Sequence, residues 1–280
     1  MDVTALRAGP GRPDLTVIET DAAPGFDGKK TDGEDALAAI GPELAELQER
    51  LFAEGKSGAS GSVLLVLQGM DTSGKGGTVR HTIGLFDPQG VRITSFKAPT
   101  DVERAHDFLW RIRKAVPTSG YVGVFDRSHY EDVLIARVRE LAPADEIQRR
   151  YRAINDFERE LVDGGTAVVK CLLHISAEEQ KARLLARLDD PRKHWKYNPG
   201  DVDERKLWPA YRDAYEIALE RTNTEHAPWH VIPADRKWFR NLAIGQLLLD
   251  ALRRLDPQWP KADYDVGAQR ARLEHEDPIR

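Results

Sequence analysis

Two pairs of charged residues, each placed where an apolar run ends, are the part of this sequence best suited to chemistry. Asp71 and Lys75 follow the run SVLLVLQ, and Asp126 with Arg127 follows the run YVGVF. Lysine and arginine neutralise phosphate oxygens, and carboxylates are the ligands that Mg²⁺ takes from proteins. Because parallel strands end at one edge of a sheet, we expect the two pairs to meet there. The combination predicts a phosphoryl-transfer site.

The first pair lies in a glycine-rich loop between a predicted strand and a predicted helix. Its sequence, GMDTSGKGG, meets the Walker A pattern G-x-x-x-x-G-K-[ST] except at Gly76, where a serine or threonine usually contacts Mg²⁺. Glycines let backbone N–H groups approach a phosphate, and the following helix adds its positive end. Asp71 is therefore the first candidate to hold the metal, and Thr78 is the second. The residues expected to contact phosphate or nucleotide are Gly69, Met70, Thr72, Ser73, Gly74, Gly76, Gly77 and Thr78, around Lys75. The alternative, a glycine-rich turn with a surface lysine, leaves four glycines unexplained.

Asp126 opens the second stretch, DRSHYED. An acidic residue at the end of an apolar strand, beside a phosphate loop, is a Walker B position that places Mg²⁺ directly or through water. Arg127 then points into the same cleft and can neutralise a phosphoryl group during transfer. The alternative is a strand-end aspartate that caps the next helix, with Arg127 on the surface.

The composition is that of a globular protein. The chain has 280 residues, of which 41% are hydrophobic, and a formal net charge of −5, which argues against nucleic acid or anionic membrane as a partner. No apolar run approaches the roughly 20 residues that cross a bilayer, and the first residues lack an apolar signal core. With one cysteine, Cys171, no internal disulfide can form, so we expect a reducing, cytoplasmic setting.

A polyanionic substrate would need local basic patches, and the sequence has two. Residues 80–114 hold seven Lys/Arg against four Asp/Glu, and residues 187–196 hold four Lys/Arg against two Asp. Around the second patch, Asp190-Pro191 and Asn198-Pro199 prevent a continuous helix. A basic, proline-bounded segment opposite a phosphate loop is typical of a closing lid. The alternative for either patch is an ordinary solvated face.

Short apolar runs alternate with longer helical patterns along the chain. Strands are predicted at 63–67, 91–96, 121–125, 166–174 and 229–232, and helices at 34–53, 78–86, 102–116, 133–138, 143–161, 176–188, 202–221 and 236–255. In the helix at 202–221, Pro209 is expected to cause a kink or a restart. The alternation predicts an α/β fold with a mainly parallel five-stranded sheet covered on both faces. The apolar stripe from Leu37 to Leu51 packs either on the domain's own core or on another subunit.

Three blocks of the sequence resemble the type 2 polyphosphate kinases. They are LLVLQGMDTSGKGG, GVFDRSHYEDVL and RLDDPRKHWKYNP, and the resemblance covers residues 47–255. It implies a P-loop three-layer α/β/α sandwich with a helical lid, and Mg²⁺-dependent phosphoryl transfer between inorganic polyphosphate and nucleotides, with Mn²⁺ as a substitute. By motif position, Asp71 and Asp126 would hold the metals, Lys75 would bind the transferring phosphate, and Arg127 would stabilise it.

The resemblance also implies roles for more distant residues. The lid, at about 187–205, would contact polyphosphate or nucleotide through Arg187, Arg192, Lys193 and Lys196, and a polyphosphate groove would use Arg80, Arg111 and Lys114. The kinase domain would occupy residues 34–256. Composition predicts a flexible or surface-wrapping arm at 1–33, which is rich in Gly, Pro and Asp, and a polar, poorly ordered tail at 257–280. The motifs look most like the group that accepts both AMP and ADP, and that group often has aspartate in place of Gly76. The resemblance and the leucine stripe together suggest a homo-oligomer.

Two other functions fit parts of the pattern. An ATP-dependent nucleoside monophosphate kinase of the thymidylate-kinase type shares the phosphate loop with an internal acid, the Asp-Arg pair and an arginine-bearing lid. It predicts ATP as donor and no use of polyphosphate. A nucleotide-binding scaffold without turnover would explain the loop alone, but it gives no reason for Lys75, Asp126 and Arg127 to be present together.

Overall fold

A five-stranded parallel sheet lies at the centre of the computed structural model, which describes residues 1–276 and 279. The strands are β1 (Ser62–Gln68), β2 (Val91–Ser95), β3 (Val122–Asp126), β4 (Thr166–His174) and β5 (Trp229–Pro233). They pair in the order β2-β3-β1-β4-β5, and every pairing is parallel. Every residue of β1 is buried, as expected for the central strand of a sheet covered on both faces.

Helices cover both faces of the sheet. They are α1 (Lys30–Lys56), α2 (Lys75–His81), α3 (Asp101–Arg104), α4 (Leu109–Arg113), α5 (Ile135–Val138), α6 (Ala144–Asp163), α7 (Ala177–Leu188), α8 (Asp201–Arg205), α9 (Trp208–Thr222), α10 (Lys237–Leu255) and α11 (Val266–His275). Alternate residues of β1 point to opposite faces, so Leu65 packs in one apolar core with α1 and α10, whereas Leu64 packs in another with α6 and α9. The three-layer α/β/α fold is therefore confirmed.

The leucine stripe of α1 is used inside the domain. Leu44, Leu47 and Leu51 are buried, and they belong to the same core as α10. The first of the two interpretations of the stripe, docking on the domain's own core, is the one that the structure supports. The stripe therefore gives no support to a subunit interface.

The structure divides two of the predicted helices, at 102–116 and at 202–221. The single helix predicted at 102–116 is wrong, because the chain forms α3 and α4 with a break between them. The side chain of Asp107 accepts a hydrogen bond from the backbone N–H of Leu109 at 3.0 Å, and such local bonds compete with a continuing helix. The restart predicted at Pro209 is confirmed, because α9 begins at Trp208 with the proline in its first turn.

The N-terminal residues run across the edge of the sheet. Arg7 forms an antiparallel bridge with His230 of β5, and Leu6 and Leu15 are buried. The backbone N–H of Leu15 also donates to Glu216 Oε1 of α9 at 3.1 Å. These contacts join the N-terminal residues to β5 and α9. At the other end of the chain, α11 is an exposed helix. Across the residues that the structure describes, no helix has both the length and the apolar character needed to cross a membrane.

Candidate phosphoryl-transfer site

The phosphate loop joins β1 to α2 through backbone conformations that favour glycine. Gly69 has φ 149° and Gly74 has φ 114°, and a Cβ at either position would meet neighbouring atoms at less than 3 Å. At Gly74 the obstructing atoms belong to the guanidinium of Arg240. Thr72, at φ 63°, is one of the few residues other than glycine in the left-handed region. The loop therefore curls tightly before α2 begins at Lys75.

Lys75 lies inside this curl. Its side chain is buried, and Nζ donates to the carbonyl oxygens of Gly69 at 2.9 Å and Met70 at 3.4 Å. Burial lowers the pKa of Lys75, and the nearby Arg127 lowers it further, while Asp71, Asp126 and Glu131 oppose that change. A phosphate that binds here would stabilise the charged form of Lys75.

Asp126 and Arg127 stand beside the loop, as the strand order requires. Asp126 ends β3 and is paired in register with Leu67 of the neighbouring β1. Arg127 follows at φ 63°, and its Nη2 donates to Asp71 Oδ1 at 2.6 Å. Although burial opposes the charge, Glu131 and Asp71 raise the pKa of Arg127. Both predicted pairs thus meet at the carboxyl ends of β1 and β3.

Glu131 is a member of this cluster that the sequence analysis did not identify. It lies in the 3₁₀ turn His129–Asp132, with Oε2 at 3.6 Å from Arg127 Nη1. Burial raises the pKa of Glu131, and Arg127 and Lys75 oppose that shift. Its spacing of four residues from Arg127 was visible in DRSHYED, but the turn that brings the two together was not predicted.

A buried ion pair supports the same turn. Lys170 of β4 and Glu158 of α6 are fully buried, with 2.6 Å between Nζ and Oε2. Glu158 Oε1 accepts from the Tyr130 hydroxyl at 2.7 Å and lies 3.2 Å from His129 Nε2. Although burial opposes ionisation, Lys170 and His129 hold the pKa of Glu158 below its ordinary value. The turn after Arg127 is therefore anchored to the centre of the domain.

The donor set at the cleft suits a hard cation that keeps part of its coordination for substrate and water. Asp71 and Asp126 offer carboxylate oxygens, and within residues 1–276 no group of three or more His, Cys, Asp or Glu could hold a metal by itself. Mg²⁺ is commonly bound by one or two carboxylates together with substrate phosphates and water, and this set fits it. Thr78, the second candidate, is buried with Oγ1 at 3.4 Å from the carbonyl oxygen of Gly74.

The segment predicted to be a lid contains a 3₁₀ turn, Pro191–Lys196, followed by α8. Arg187 joins its two parts, because Nη1 donates to the carbonyl oxygen of Lys196 at 2.9 Å and lies 3.8 Å from Asp201. Burial raises the pKa of Asp201, and the charge of Asp71 adds to the effect. Arg205 of α8 donates to Gln180, which in turn donates to the carbonyl oxygen of Asp71, so α8 lies near the phosphate loop. The other two predicted lid residues, Arg192 and Lys193, are exposed and form ion pairs with Asp190.

The predicted groove residues differ in environment. Arg111 is largely buried, with Glu103 at 3.8 Å and Asp132 at 3.6 Å, so acidic partners already balance its charge. Lys114 is exposed, with Nζ 3.2 Å from the centre of the Trp110 ring. Arg80 is exposed on α2. The structure brings Arg111 toward the DRSHYED turn and leaves the other two at the surface.

A model of the family described as Polyphosphate kinase 2 (PPK2) matches residues 27–260 of this chain. The chain belongs to the PPK2 family. It is 46% identical to an AMP/ADP-polyphosphate phosphotransferase of Meiothermus ruber over 90% of this chain and 93% of the relative. It is 40% identical to an ADP-polyphosphate phosphotransferase of Rhodopseudomonas palustris, over 78% of each chain. The crystal structure of polyphosphate kinase 2 from Arthrobacter aurescens TC1 superposes with a TM-score of 0.93 and 59% identity, covering 96% of this chain and 95% of that one. The resemblance drawn from the three blocks is thus confirmed, and the thymidylate-kinase alternative loses its basis.

Proposed function

We propose that this chain transfers phosphoryl groups reversibly between inorganic polyphosphate and adenine nucleotides, making ADP from AMP and ATP from ADP. The observation that carries the proposal is the convergence of Asp71, Lys75, Asp126 and Arg127 in a chain of the PPK2 family. Membership of the PPK2 family indicates polyphosphate as the donor, and the four side chains carry the charges that phosphoryl transfer needs.

The proposed mechanism requires little covalent chemistry from the protein. The acceptor is an anionic phosphate oxygen, so alignment and neutralisation of charge can supply most of the rate without a strong general base. Lys75 lies inside the loop, Arg127 is paired with the loop residue Asp71, and both cations would neutralise the oxygens of the transferring group. Asp71 and Asp126 would hold Mg²⁺, which when bound neutralises further phosphate charge. Before substrate arrives, the ion pair with Asp71 keeps Arg127 directed toward the loop.

Both AMP and ADP are proposed as acceptors. The Meiothermus ruber relative is named for both nucleotides, and the Rhodopseudomonas palustris relative for ADP. Gly76 is exposed at the start of α2, and a side chain there would meet no atom within 4 Å. We propose that this open position affects the metal or the acceptor, because an aspartate there would add a carboxylate at the mouth of the loop.

The function is tested by an end-point nucleotide analysis. Purified protein receives Mg²⁺ with either polyphosphate or ATP as donor, and AMP, ADP or dTMP as separate acceptors, and the products are separated by chromatography. Polyphosphate-dependent formation of ADP from AMP and of ATP from ADP is expected. Transfer from ATP to dTMP with polyphosphate inert would refute the proposal, and Mn²⁺ in place of Mg²⁺ tests the expected substitution.

The metal ligands are tested by Asp71→Asn and Asp126→Asn. Each variant keeps its shape and loses a charge, so we expect activity to disappear while the melting temperature stays near that of the wild type. Asp156→Asn is the matched control, because Asp156 is exposed on α6. If both site variants keep most of their turnover, the metal assignment is wrong.

Two further properties stay predictions. Self-association now rests on family resemblance alone, since the α1 stripe is buried inside the domain, and light scattering after gel filtration measures it. The cytoplasmic location rests on the cysteine count, and Cys171 is buried.

A further inference from the structure

The backbone carbonyls in the first part of the phosphate loop are held by side-chain donors. Each backbone carbonyl from residue 69 to residue 73 accepts a hydrogen bond from a side chain. The donors are Lys75 to Gly69 and Met70, Gln180 to Asp71 at 2.9 Å, Arg183 to Thr72 at 2.9 Å and to Ser73 at 3.0 Å, and Arg240 to Ser73 at 3.5 Å. Three of these four donors come from α7 and α10, far away in the sequence.

The orientation of these carbonyls determines what the loop offers to an anion. In a trans peptide unit the C=O of one residue and the N–H of the next point in opposite directions. Holding the carbonyls of Asp71 and Ser73 toward α7 and α10 therefore directs the N–H groups of Thr72 and Gly74 the other way. Backbone N–H groups that converge on one point form an anion-binding nest.

Arg183 is suited to this role because its guanidinium spans two loops. Nη1 donates to both phosphate-loop carbonyls, and Nη2 donates to Ala234 at 2.6 Å and Asp235 at 3.0 Å, just beyond β5. Nε donates to Glu179 Oε1 at 2.7 Å, one turn earlier on α7. The planar fork of arginine makes five such bonds at once, whereas a lysine ammonium cannot reproduce their geometry.

Arg240 adds a positive charge behind the loop. It is 2% exposed, and it donates to Asn241 Oδ1 at 2.8 Å. Burial and the neighbouring Arg183 lower the pKa of Arg240 to about 10. In the part of the chain that the structure describes, no carboxylate forms an ion pair with Arg240. Such a buried cation raises the local electrostatic potential, and a bound phosphate would offset the cost of burying it.

Gln180 connects the same loop to the lid. Its Nε2 donates to the Asp71 carbonyl, and its Oε1 accepts from Arg205 Nη1 of α8 at 2.6 Å. Arg205 also donates to the carbonyl oxygen of Ala177, at the start of α7, at 3.0 Å. One amide side chain therefore joins the lid helix to the backbone of the residue that would hold the metal.

We propose that Gln180 and Arg183 are positioning residues, which set the phosphate loop for phosphoryl transfer and make its geometry depend on the lid. Neither side chain needs to touch substrate. Arg183 fixes the direction of the Gly74 N–H through the Ser73 carbonyl, and Gln180 fixes that of the Thr72 N–H through the Asp71 carbonyl, which it links to α8. The inference rests on the proposed function for its kinetic test, but not for its binding test.

The kinetic test compares Arg183→Met and Arg183→Lys with Lys181→Met. Lys181 is exposed on α7, so its variant removes one charge from the same helix. Loss of a supporting residue of this kind typically costs about 10- to 100-fold in activity. We expect kcat/KM for polyphosphate to fall by that factor in both Arg183 variants, with the control unchanged. Restoration by Arg183→Lys would show that charge alone matters and would overturn the geometric argument.

A purely structural role for Arg183 predicts a different result. Folded Arg183→Met, isolated by gel filtration and checked by circular dichroism, would then show wild-type kcat and KM per folded molecule, and this outcome overturns the proposal. If that variant does not fold, Gln180→Met decides, because it removes both the donor to Asp71 and the acceptor for Arg205. We expect a fall of about 10-fold in its kcat, and an unchanged kcat overturns the proposal.

The binding test separates this inference from the proposed function. Calorimetric titration with tripolyphosphate measures how tightly the loop binds an anion, without turnover. We expect the affinity for tripolyphosphate to fall in Arg183→Met but not in Lys181→Met. If the wild type transfers no phosphoryl group from polyphosphate, the proposed function fails, while tripolyphosphate binding still decides the role of Arg183. Equal affinity in wild type and Arg183→Met refutes the positioning role.

Discussion

The buried pair Lys170–Glu158 gives the most demanding test of the structural reasoning. Lys170 Nζ donates to Glu158 Oε2 at 2.6 Å, to the Thr222 carbonyl oxygen at 2.7 Å and to the Tyr130 hydroxyl at 3.0 Å. Lys170→Met keeps most of the side-chain volume and removes the charge. Glu158 then stays buried, and Tyr130 and His129 are the donors that remain to it among the described residues.

The expected loss of stability follows from that arrangement. Removing one partner of a buried ion pair costs about 3–5 kcal/mol, because the other charge is left uncompensated. At about 2–4 °C per kcal/mol for a chain of this size, the melting temperature should fall by roughly 10 °C. Adding Glu158→Gln to the same chain removes the stranded charge while its amide oxygen still accepts from Tyr130. The double variant should therefore recover about 2–3 kcal/mol relative to simple addition of the two losses.

Denaturant unfolding, followed by circular dichroism and tryptophan fluorescence, measures both quantities. Trp229 reports on the site, since its ring lies 4.7 Å from that of Tyr130. The pH adds a second check with a definite sign. Without Lys170 the folded-state pKa of Glu158 rises above its ordinary value of about 4.3, so the destabilisation is largest at neutral pH and shrinks in acid. A loss below about 1 kcal/mol at pH 7, or losses that simply add in the double variant, would refute the reasoning.

Three further expectations concern other parts of the chain. Burial lowers the pKa of His230 to about 4 in the folded chain, whereas its pKa in the unfolded chain is about 6.5. Between these two pH values the unfolded chain binds a proton at His230 that the folded chain does not. His230 should therefore lower the stability as the pH drops from about 6.5 toward 4, by about 2 kcal/mol at pH 5, and urea titrations should show a loss that is smaller by this amount in His230→Gln than in the wild type. Gly74→Ala should abolish activity and lower the melting temperature, whereas Gly76→Ala should melt like the wild type, because only Gly74 has a positive φ and faces a guanidinium. Leu15→Ala should cost about 2–3 kcal/mol in denaturant unfolding, because Leu15 is buried in the apolar core against which Met70 packs. A loss under about 0.5 kcal/mol would show that the N-terminal residues are not docked on the domain.

The parts of the site that sequence alone predicted are those that local spacing determines. A phosphate loop can be recognised from glycines at fixed offsets from a lysine. An acidic residue at the end of a strand can be recognised from the apolar run that precedes it. Parallel pairing then places Asp126 beside Leu67 whatever the remaining helices do. The fold class followed from the same alternation of short apolar runs and helices, because such a chain has few other ways to bury its strands.

The parts that sequence did not predict depend on contacts between distant residues. Lys170 lies in the middle of the apolar run TAVVKCLLH, and a charge in a central strand requires a buried partner. That was a usable clue to an internal ion pair, but it did not identify Glu158 among the many acidic residues of the chain. The helix predicted at 102–116 failed for a local reason, since the Asp107 side chain accepts a hydrogen bond from the backbone N–H of Leu109 and interrupts an otherwise suitable pattern.

The ion pairs in the structure also change the interpretation of the basic patches that were counted in the sequence. In the patch 80–114, Arg111 is paired with Asp132, and Arg113 makes two hydrogen bonds of 2.8 Å to Glu160 of α6. These arginines serve acidic groups that lie outside the patch in sequence, so seven basic residues overstate the positive charge that a polyanion would meet. The positive charge that a polyanion would meet lies instead on two buried side chains, Lys75 and Arg240 behind the loop. Their burial strengthens the electrostatic attraction between each of these charges and a phosphate. An acidic protein can bind a polyanion on these terms, because the potential inside the loop is set by buried neighbours rather than by net charge.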